Sequence, residues 1–237
     1  LSELRREQIE EVVGAGLARI NARQSALTSY TATLANVGES FQALAGDGYS
    51  GAGLDQLRNQ LEQTLRAHLL DFEGAGGAGL WFEPGVLATS GSSYMPYFVL
   101  EDGKTQRLDS ESRFTEYRAA PWYTRTLTAD WSPEPDKAGD VYWSPVYFDL
   151  KTKRALLTLA SPMFDPDGRL LGMATTAWGA DQVIELVSRI SVTEHSFAFL
   201  NDRNNRNLSS LSQGEDTRRE QAIIDAILSL NLGDTLS

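Results

Sequence analysis

Aromatic residues with polar tips are concentrated in the middle of this sequence. Tyr and Trp combine an apolar ring with a hydroxyl or N–H group that needs a hydrogen-bond partner when it is buried. Where several such rings converge beside charged residues such as Arg118 and Asp149, they can line a pocket for a small molecule. The same density also suits the core of a half-buried sheet, and the sequence leaves both interpretations open. The aromatic residues of this segment include Trp81, Phe82, Tyr94, Tyr97, Phe98, Tyr117, Trp122, Tyr123, Trp131, Tyr142, Trp143, Tyr147 and Phe148.

Groups suited to catalysis or metal binding are sparse. The chain has no cysteine, which excludes disulfides, thiolate metal sites and a cysteine nucleophile. Its two histidines, His68 and His195, have no nucleophile pattern beside them, and the chain contains no G-x-S-x-G sequence. We therefore predict that the chain is not an enzyme and that it binds neither a metal ion nor a cofactor.

Two glycine-containing motifs have the outline of known ligand-binding loops. GAGGAG at 74–79 matches G-x-G-x-x-G, but a helix precedes it and a strand follows it, the reverse of the dinucleotide-binding order. We predict a flexible connector between a helix and a strand. DPDG at 165–168 lacks the third acidic position and the distal Glu of an EF-hand loop, which favours a hairpin turn.

Composition restricts the partners of this chain. Its 237 residues are 41% hydrophobic and 22% charged, enough to fold around one large core or two small ones. The formal net charge of -11 repels nucleic-acid phosphates and anionic lipid headgroups, so we expect neither as a partner. Apolar runs fall short of the roughly 20 residues that a membrane-spanning helix needs. With no initiator Met and no signal peptide, the chain is expected to be a segment of a longer protein.

The first 44 residues predict one long helix. Val13, Ile20, Leu27, Leu34 and Phe41 recur every seven positions, which makes a sustained apolar stripe. A helix of this length spans roughly 65 Å at 1.5 Å per residue. Its stripe has to pack along the whole length, either on a stack of two modules or on a partner helix.

The remaining elements predict an α+β fold with an antiparallel sheet. Short links join the three strands expected between 141 and 178, which permits only antiparallel neighbours. Strands do not alternate regularly with helices, so a doubly wound parallel sheet is disfavoured. The strand pattern restarts after residue 190, which predicts a second, smaller module. In chain order we expect a helix at 54–70, strands at 80–82 and 94–100, a helix from Pro121, strands at 141–148, 154–162 and 169–178, a helix at 182–190, a strand at 196–200 and a helix at 219–230.

Five segments resemble, in order, the signature of the double Cache sensor family. They are GLWFEPG (79–85), PYF (96–98), EYRAAPWY (116–123), YWSPVYFD (142–149) and LLTLASPMFDPDGRLLGMATT (156–176). The resemblance covers roughly residues 1–205. Its specificity lies in the order and spacing of the segments, since each alone is short.

The resemblance implies a long N-terminal helix followed by two PAS-like antiparallel-sheet modules. The helix would cover 1–45, a membrane-distal ligand-binding module 46–180, and a small or incomplete membrane-proximal module 181–237. Members of this family are periplasmic (extracytoplasmic) sensor domains of bacterial inner-membrane receptors and commonly form homodimers through the first helix. Ligand binding would then signal through flanking transmembrane helices, outside this chain, to a histidine kinase, chemotaxis transducer, diguanylate cyclase or phosphatase.

Members of the family that bind amino acids carry Arg-x-Trp-Tyr, later a Tyr, and an Asp at the end of the last meander strand. This chain keeps Trp122, Tyr123 and Tyr147, but it has Ala120 in place of the Arg and Ala177 at about the position of the Asp. A ligand carboxylate without that Arg would lose a charge-assisted hydrogen bond of about 1.5–3 kcal/mol. We therefore predict that ordinary α-amino acids are not the ligand.

Two ligand classes remain open. Arg118 could supply a cation to a small carboxylate from two positions away. A pocket rich in Tyr and Trp could instead enclose an amine or a quaternary ammonium through cation–π contacts. The predicted ligand contacts are Tyr97, Tyr117, Arg118, Trp122, Tyr123, Tyr142, Trp143, Tyr147, Asp149 and Thr176.

Two other functions stay open on the sequence. A ligand-free dimerisation or partner-binding module would use the apolar stripe of the first helix. A secreted hydrolase would use paired carboxylates such as Glu83 and Asp149, although the long N-terminal helix would have no purpose in catalysis.

Overall fold

The computed structural model describes residues 2–46, 50–88, 93–108, 117–137, 139–149, 152 and 154–190. It divides into two compact units. The larger unit contains Gln24–Tyr147 and Leu156–Trp178, and the smaller unit contains Leu1–Arg23, Phe148–Ala155 and the chain from Gly179 onward. The strand predicted at 196–200, the helix predicted at 219–230 and most of the predicted second module lie outside the described residues. So does His195.

Helix α1 (Ser2–Ala45) confirms the long helix that the apolar stripe predicts. Within the larger unit, Leu27, Tyr30 and Leu34 of this stripe are at most 7% exposed. The stripe therefore contributes to the core of that unit, as apolar residues at helical spacing do when one face of a helix is covered. No helix in the described part of the chain is long and apolar enough to cross a membrane.

Helix α2 (Ala52–Asp71) confirms the second predicted helix and buries one face. It ends where Phe72 adopts an extended conformation and donates its N–H to His68 O at 3.1 Å. Its leucines recur at helical spacing, which places them on one side of the helix. The buried leucines are Leu54, Leu57, Leu61, Leu65 and Leu69.

Seven strands, two short α-helices and two 3₁₀ helices (Tyr117–Ala119 and Pro135–Lys137) complete the described elements. Pro121 lies in the first turn of α3, as predicted, because its missing N–H costs nothing there. Pro145 divides the strand predicted at 141–148 into two short strands, since a proline cannot donate to a β-ladder. The elements are β1 (Gly77–Phe82), β2 (Tyr97–Glu101), β3 (Lys104–Arg107), α3 (Pro121–Thr126), β4 (Tyr142–Trp143), β5 (Tyr147–Asp149), β6 (Arg154–Phe164), β7 (Leu170–Gly179) and α4 (Ala180–Ser188).

The strands form one sheet in the order β3-β2-β1-β7-β6-β4, with β5 also paired to β6. The pairs β1–β2, β1–β7, β2–β3 and β4–β6 are antiparallel, which confirms the predicted α+β class. Strand β1 lies between β2 and β7, although β7 is distant in sequence. Gly172 permits this pairing, because its φ is +144° and a Cβ atom there would lie 2.0 Å from Trp81 O.

The connector predicted at 74–79 is shorter than expected. Strand β1 begins at Gly77, and both Gly77 and Gly79 pair with β2 and β7. A Cβ atom on either glycine would lie 2.6 Å from the side chain of Tyr97. The ring of Tyr97 therefore covers these glycines, and close packing rather than chain flexibility explains them.

The turn predicted at 165–168 is confirmed. Asp165 Oδ1 accepts hydrogen bonds from the N–H of Asp167 at 3.0 Å and of Arg169 at 2.8 Å. The Asp165 carboxylate also lies 3.2 Å from Arg169 Nε. The acidic side chain thus organises the hairpin between β6 and β7, as Asp does in many turns.

The two faces of the sheet have different partners. Side chains alternate along a strand, so neighbouring residues of β7 face opposite sides. Thr175 faces Trp81, whereas Thr176 faces α1, where its hydroxyl lies 2.9 Å from the hydroxyl of Thr31. We call these the aromatic face and the helix face of the sheet.

Candidate functional site

Eight aromatic side chains gather on the aromatic face of the sheet, and we call them the aromatic cluster. Methionine, leucine and alanine side chains from β6, β7 and the residues that flank β2 and α3 pack among the rings. Strands β1, β2, β4 and β5 supply half of the rings, and the segment from 117 to 131 supplies the rest. The members are Trp81, Tyr97, Tyr117, Trp122, Tyr123, Trp131, Tyr142 and Tyr147.

The rings of the cluster form a continuous series of contacts. Trp81 lies 5.2 Å from Trp122, and Trp122 stacks on Tyr117 at 6.0 Å with an interplanar angle of 4°. Tyr123 meets Trp131 edge to face at 6.4 Å. Such offset and edge-to-face pairs are the favourable geometries for aromatic rings. The rings of the cluster are therefore packed against one another in favourable geometries.

The polar groups of Trp81 and Tyr147 have hydrogen-bond partners within the chain. Trp81 Nε1 donates to Thr175 Oγ1 at 2.8 Å. The hydroxyls of Tyr147 and Thr158 share a hydrogen bond of 2.7 Å. Both threonines come from the sheet, which therefore supplies the partners of these two rings.

Two other tips of the cluster have no acceptor among the described residues. They are Trp122 Nε1 and Trp131 Nε1, both of which are buried. A buried donor without an acceptor costs about 1–3 kcal/mol, so native proteins contain few of them. The cluster thus contains two indole donors that no described residue satisfies.

A charged group borders the cluster at the end of β1. Glu83 Oε1 lies 2.8 Å from Arg118 Nη2, and the Tyr117 hydroxyl donates to the same oxygen. Burial and then the hydrogen bond to Glu83 raise the pKa of Tyr117. The hydrogen bond to Glu83 also raises the pKa of Arg118. Tyr117 is therefore neutral and Arg118 cationic at any physiological pH.

The structure brings seven of the ten predicted ligand contacts together. Six lie in the aromatic cluster, and the seventh, Arg118, is bonded beside it. Ala120 and Ala177, the two alanines singled out in the sequence, are also buried in this core, at 0% and 2% exposure. The six cluster residues are Tyr97, Tyr117, Trp122, Tyr123, Tyr142 and Tyr147.

Two predicted contacts lie on the helix face instead. Thr176 bonds to Thr31 of α1, and Trp143 meets Trp178 edge to face at 6.4 Å. The reason is the two-residue period of a strand, which turns every second side chain away. Thr176 and Trp143 are therefore separated from the cluster by the sheet itself.

The side chain of Asp149, the last predicted contact, is hydrogen-bonded within a turn. Its Oδ2 accepts hydrogen bonds from Thr152 N–H at 2.9 Å and from the Thr152 hydroxyl at 2.6 Å. The hydrolase alternative pairs Asp149 with Glu83, but Glu83 is itself held by Arg118 and Tyr117. Both carboxylates therefore already have partners within the chain.

Sequence reasoning did not select four residues that the structure places in or beside the site. Trp81 and Trp131 were part of the aromatic segment but not of the predicted contacts, and Thr175 and Glu83 were not expected to touch it. For the two tryptophans the high density of aromatic residues was the available signal. The other two depend on strand pairing and on a contact between residues 35 apart, which local patterns do not contain.

The larger unit has a surface depression that no cluster residue lines. It is an open groove of about 450 Å³. Its acidic side chains already have structural bonds: Glu39 accepts from Phe164 N–H at 2.8 Å, and Asp165 organises its hairpin. Among the described residues there is no group of three or more His, Cys, Asp or Glu side chains that could hold a metal ion. The lining residues are Glu39, Ser40, Ala43, Pro135, Phe164, Asp165, Pro166 and Gly168.

Residues 61–182 match the family model described as methyl-accepting chemotaxis protein-like, first PDC sensor domain. No curated protein matches the chain in sequence.

Solved structures share the fold at low sequence identity. Methyl-accepting chemotaxis protein X aligns with a TM-score of 0.63 at 14% identity, over 95% of this chain and 84% of that chain. The extracellular domain assigned to the histidine kinase mmHK1S-Z2 aligns with a TM-score of 0.62 at 17% identity, over 92% and 82%. The ligand-binding domain of the Campylobacter jejuni chemoreceptor Tlp3, in complex with L-norvaline, aligns with a TM-score of 0.53 at 15% identity, over 88% and 69%.

Proposed function

This chain belongs to the methyl-accepting chemotaxis protein-like family of first PDC sensor domains, and from that membership we propose that its aromatic cluster binds a small-molecule ligand and starts a transmembrane signal. Domains of this family are sensor parts of signalling receptors rather than enzymes. The similar structures named above are a methyl-accepting chemotaxis protein, an extracellular domain assigned to a histidine kinase and the ligand-binding domain of a chemoreceptor, and their shared fold supports the same kind of function.

The observation that carries this proposal is the pair of unpaired indole donors, Trp122 Nε1 and Trp131 Nε1. Both belong to rings of the cluster, and Tyr123 contacts both of them. A ligand that places an acceptor against either indole removes a cost of about 1–3 kcal/mol that the unliganded domain bears. That gain is available only in the bound state, as ligand-driven signalling requires.

We propose that the ligand is a small carboxylate or an amine and not an ordinary α-amino acid. Ala120 and Ala177 present methyl groups where amino-acid-binding relatives carry an Arg and an Asp. L-norvaline is the ligand of a Tlp3 structure that is 15% identical to this chain, so it indicates no more than the ligand size that this fold accepts. An amine would be favoured by the aromatic rings, and a carboxylate by Arg118.

We further propose the arrangement of the receptor around this site. The helix at 1–45 would lead to the membrane, the module at 46–180 would be membrane-distal, and the module at 181–237 would be membrane-proximal. The domain would face the periplasm, and ligand binding would shift the sheet against α1. The output would be a histidine kinase, chemotaxis transducer, diguanylate cyclase or phosphatase domain.

The N-terminal part of α1 suits a homodimer contact. Ile9, Val13 and Leu17 are spaced four residues apart and are 46%, 37% and 48% exposed. Residues four apart lie on one face of a helix, so these side chains form an uncovered apolar strip. We propose that a second copy of α1 covers it.

A thermal-shift screen tests the ligand-binding proposal. The purified chain is heated with small carboxylates, amines, quaternary ammoniums, amino acids and nucleobases. A hundredfold excess over the Kd adds about 2.7 kcal/mol of stability, which is several degrees for a domain of this size. The shift should disappear in Trp122→Phe or Trp131→Phe.

Trp178→Phe is the matched control for these two variants. Trp178 is also buried with an unpaired Nε1, but it lies on the helix face. Its variant should keep the ligand response. A well-folded chain that responds to none of these classes would contradict ligand sensing. That outcome would favour the second candidate function, a dimerisation or partner-binding module that uses Ile9, Val13 and Leu17.

A further inference from the structure

Glu83 is fixed in place at the end of β1. Its N–H donates to Leu171 O at 2.8 Å, and its carbonyl oxygen accepts from Val86 N–H at 3.0 Å. Both bonds hold the backbone from which the carboxylate projects. The side chain is 22% exposed, so it is largely sheltered from water.

Two donors from the segment that carries the cluster converge on one oxygen of this carboxylate. Arg118 Nη2 lies 2.8 Å from Glu83 Oε1, and the Tyr117 hydroxyl donates to the same atom. Tyr117 in turn stacks on Trp122, whose indole N–H has no acceptor among the described residues. A cation beside the cluster is therefore already occupied by a carboxylate of the chain itself.

We propose that Glu83 is a specificity-determining residue that withholds Arg118 from ligand carboxylates. The site then binds amines and neutral molecules in preference to carboxylates. This inference rests on the proposed sensing function and selects between the two ligand classes left open there.

The physical reason is competition for one cation. A ligand carboxylate that approaches Arg118 must either displace Glu83 from Arg118 Nη2 or bind next to the Glu83 carboxylate. Displacement leaves Glu83 sheltered without its partners and beside a second negative charge, and both effects oppose binding. An amine or an amide meets no such competition, so the penalty applies to anions specifically.

The chain contains a matched constellation on the helix face of the sheet. Glu62 of α2 accepts a hydrogen bond from the Tyr94 hydroxyl at 3.3 Å and lies 3.1 Å from Arg107 Nη1. These are the same three residue types in the same arrangement. Tyr94 stacks on Phe82 of β1, and neither ring belongs to the aromatic cluster. Glu62→Gln therefore removes a comparable carboxylate without releasing a cation at the cluster.

The test compares propionate, propionamide and propylamine, which have nearly the same shape and differ in charge at neutral pH. Their affinities for wild type, Glu83→Gln and Glu62→Gln are measured by calorimetry at constant ionic strength. Glu83→Gln should raise the affinity for propionate relative to that for propionamide by about 10- to 100-fold. This factor corresponds to the free energy of one charge-assisted hydrogen bond. Glu62→Gln should leave that ratio unchanged. An unchanged ratio in a folded Glu83→Gln protein would overturn the inference.

Arg118→Gln supplies a second measurement that does not depend on the folding of a Glu83 variant. It leaves the Glu83 carboxylate without its cation, so propylamine should gain about tenfold over propionamide. No gain for propylamine would also overturn the inference. The sensing function is judged separately, by the dependence of the ligand screen on Trp122 and Trp131. If the affinity of a ligand depends on Trp122 and Trp131 but not on Glu83, this inference is wrong and the proposed sensing function still holds.

Discussion

At the scale of single residues, three buried tyrosine hydroxyls are held in the neutral form. Burial is the main cause that raises the pKa of Tyr30, Tyr94 and Tyr117 above the ordinary value of 10.0. For Tyr117 the hydrogen bond to Glu83 acts in the same direction, because a carboxylate accepts only from the protonated phenol. These three hydroxyls therefore carry no charge near neutral pH, and those of Tyr94 and Tyr117 serve as hydrogen-bond donors.

The stability of the folded chain should decrease above about pH 10. Because these pKa values are raised on folding, their contribution is fully present below the unfolded value and is lost as the pH rises toward the folded value. Above about pH 10 each such tyrosine removes about 1.4 kcal/mol of the free energy of unfolding per pH unit. Denaturant titrations across this range measure how steeply the free energy of unfolding falls with pH. Tyr117→Phe should make this slope shallower by about 1.4 kcal/mol per pH unit. A variant with the wild-type slope would contradict this assignment.

At the scale of elements, Gly38 lets α1 pack closely on the sheet. A Cβ atom there would lie 2.3 Å from Met163 Sδ and 3.3 Å from Leu80 Cδ2. Both side chains are 0% exposed, so neither has free space to move into. The glycine therefore sets the distance between the helix and the sheet.

Gly38→Ala should lower the free energy of unfolding by about 1–3 kcal/mol, the usual cost of overpacking a core. Gly14→Ala in the same helix is the matched control, because a Cβ atom at Gly14 meets nothing within 4 Å. There the better helix propensity of alanine should add up to about 1 kcal/mol. Chemical denaturation of both variants measures the difference. Equal stabilities would show that the helix does not approach the sheet so closely.

At the scale of the whole molecule, the apolar strip Ile9, Val13 and Leu17 is the feature that a second copy would cover. Leu17→Glu places a charge in that strip and should weaken self-association at least about tenfold, since a buried unpaired charge is costly. Leu70→Glu is the matched control, because Leu70 is 51% exposed on α2 and lies outside the strip. Analytical ultracentrifugation over a wide concentration range measures both variants. Similar dissociation constants for the two variants would argue against the strip as the interface.

Much of the fold could be predicted because it is encoded in short-range spacing. Seven-residue apolar recurrence predicts α1, and four-residue spacing of leucines predicts α2. Pro121 marks the start of α3, and the acidic turn at 165–168 marks the hairpin between β6 and β7. Each of these patterns lies within or next to the element that it predicts, so it can be recognised without knowing which distant segments pack together.

The amino-acid sequence by itself determined the α+β class, the long helix and the aromatic composition of the site. Only the tertiary structure decided that β1 pairs with β7 and that Trp81 contacts Trp122 of α3. It also decided that Glu83 meets Arg118, and that Thr176 faces α1 rather than the cluster. The physical reason is that strand pairing and register join segments far apart in the chain. Local periodicity fixes how side chains alternate, but pairing across the sheet fixes which face meets the ligand site.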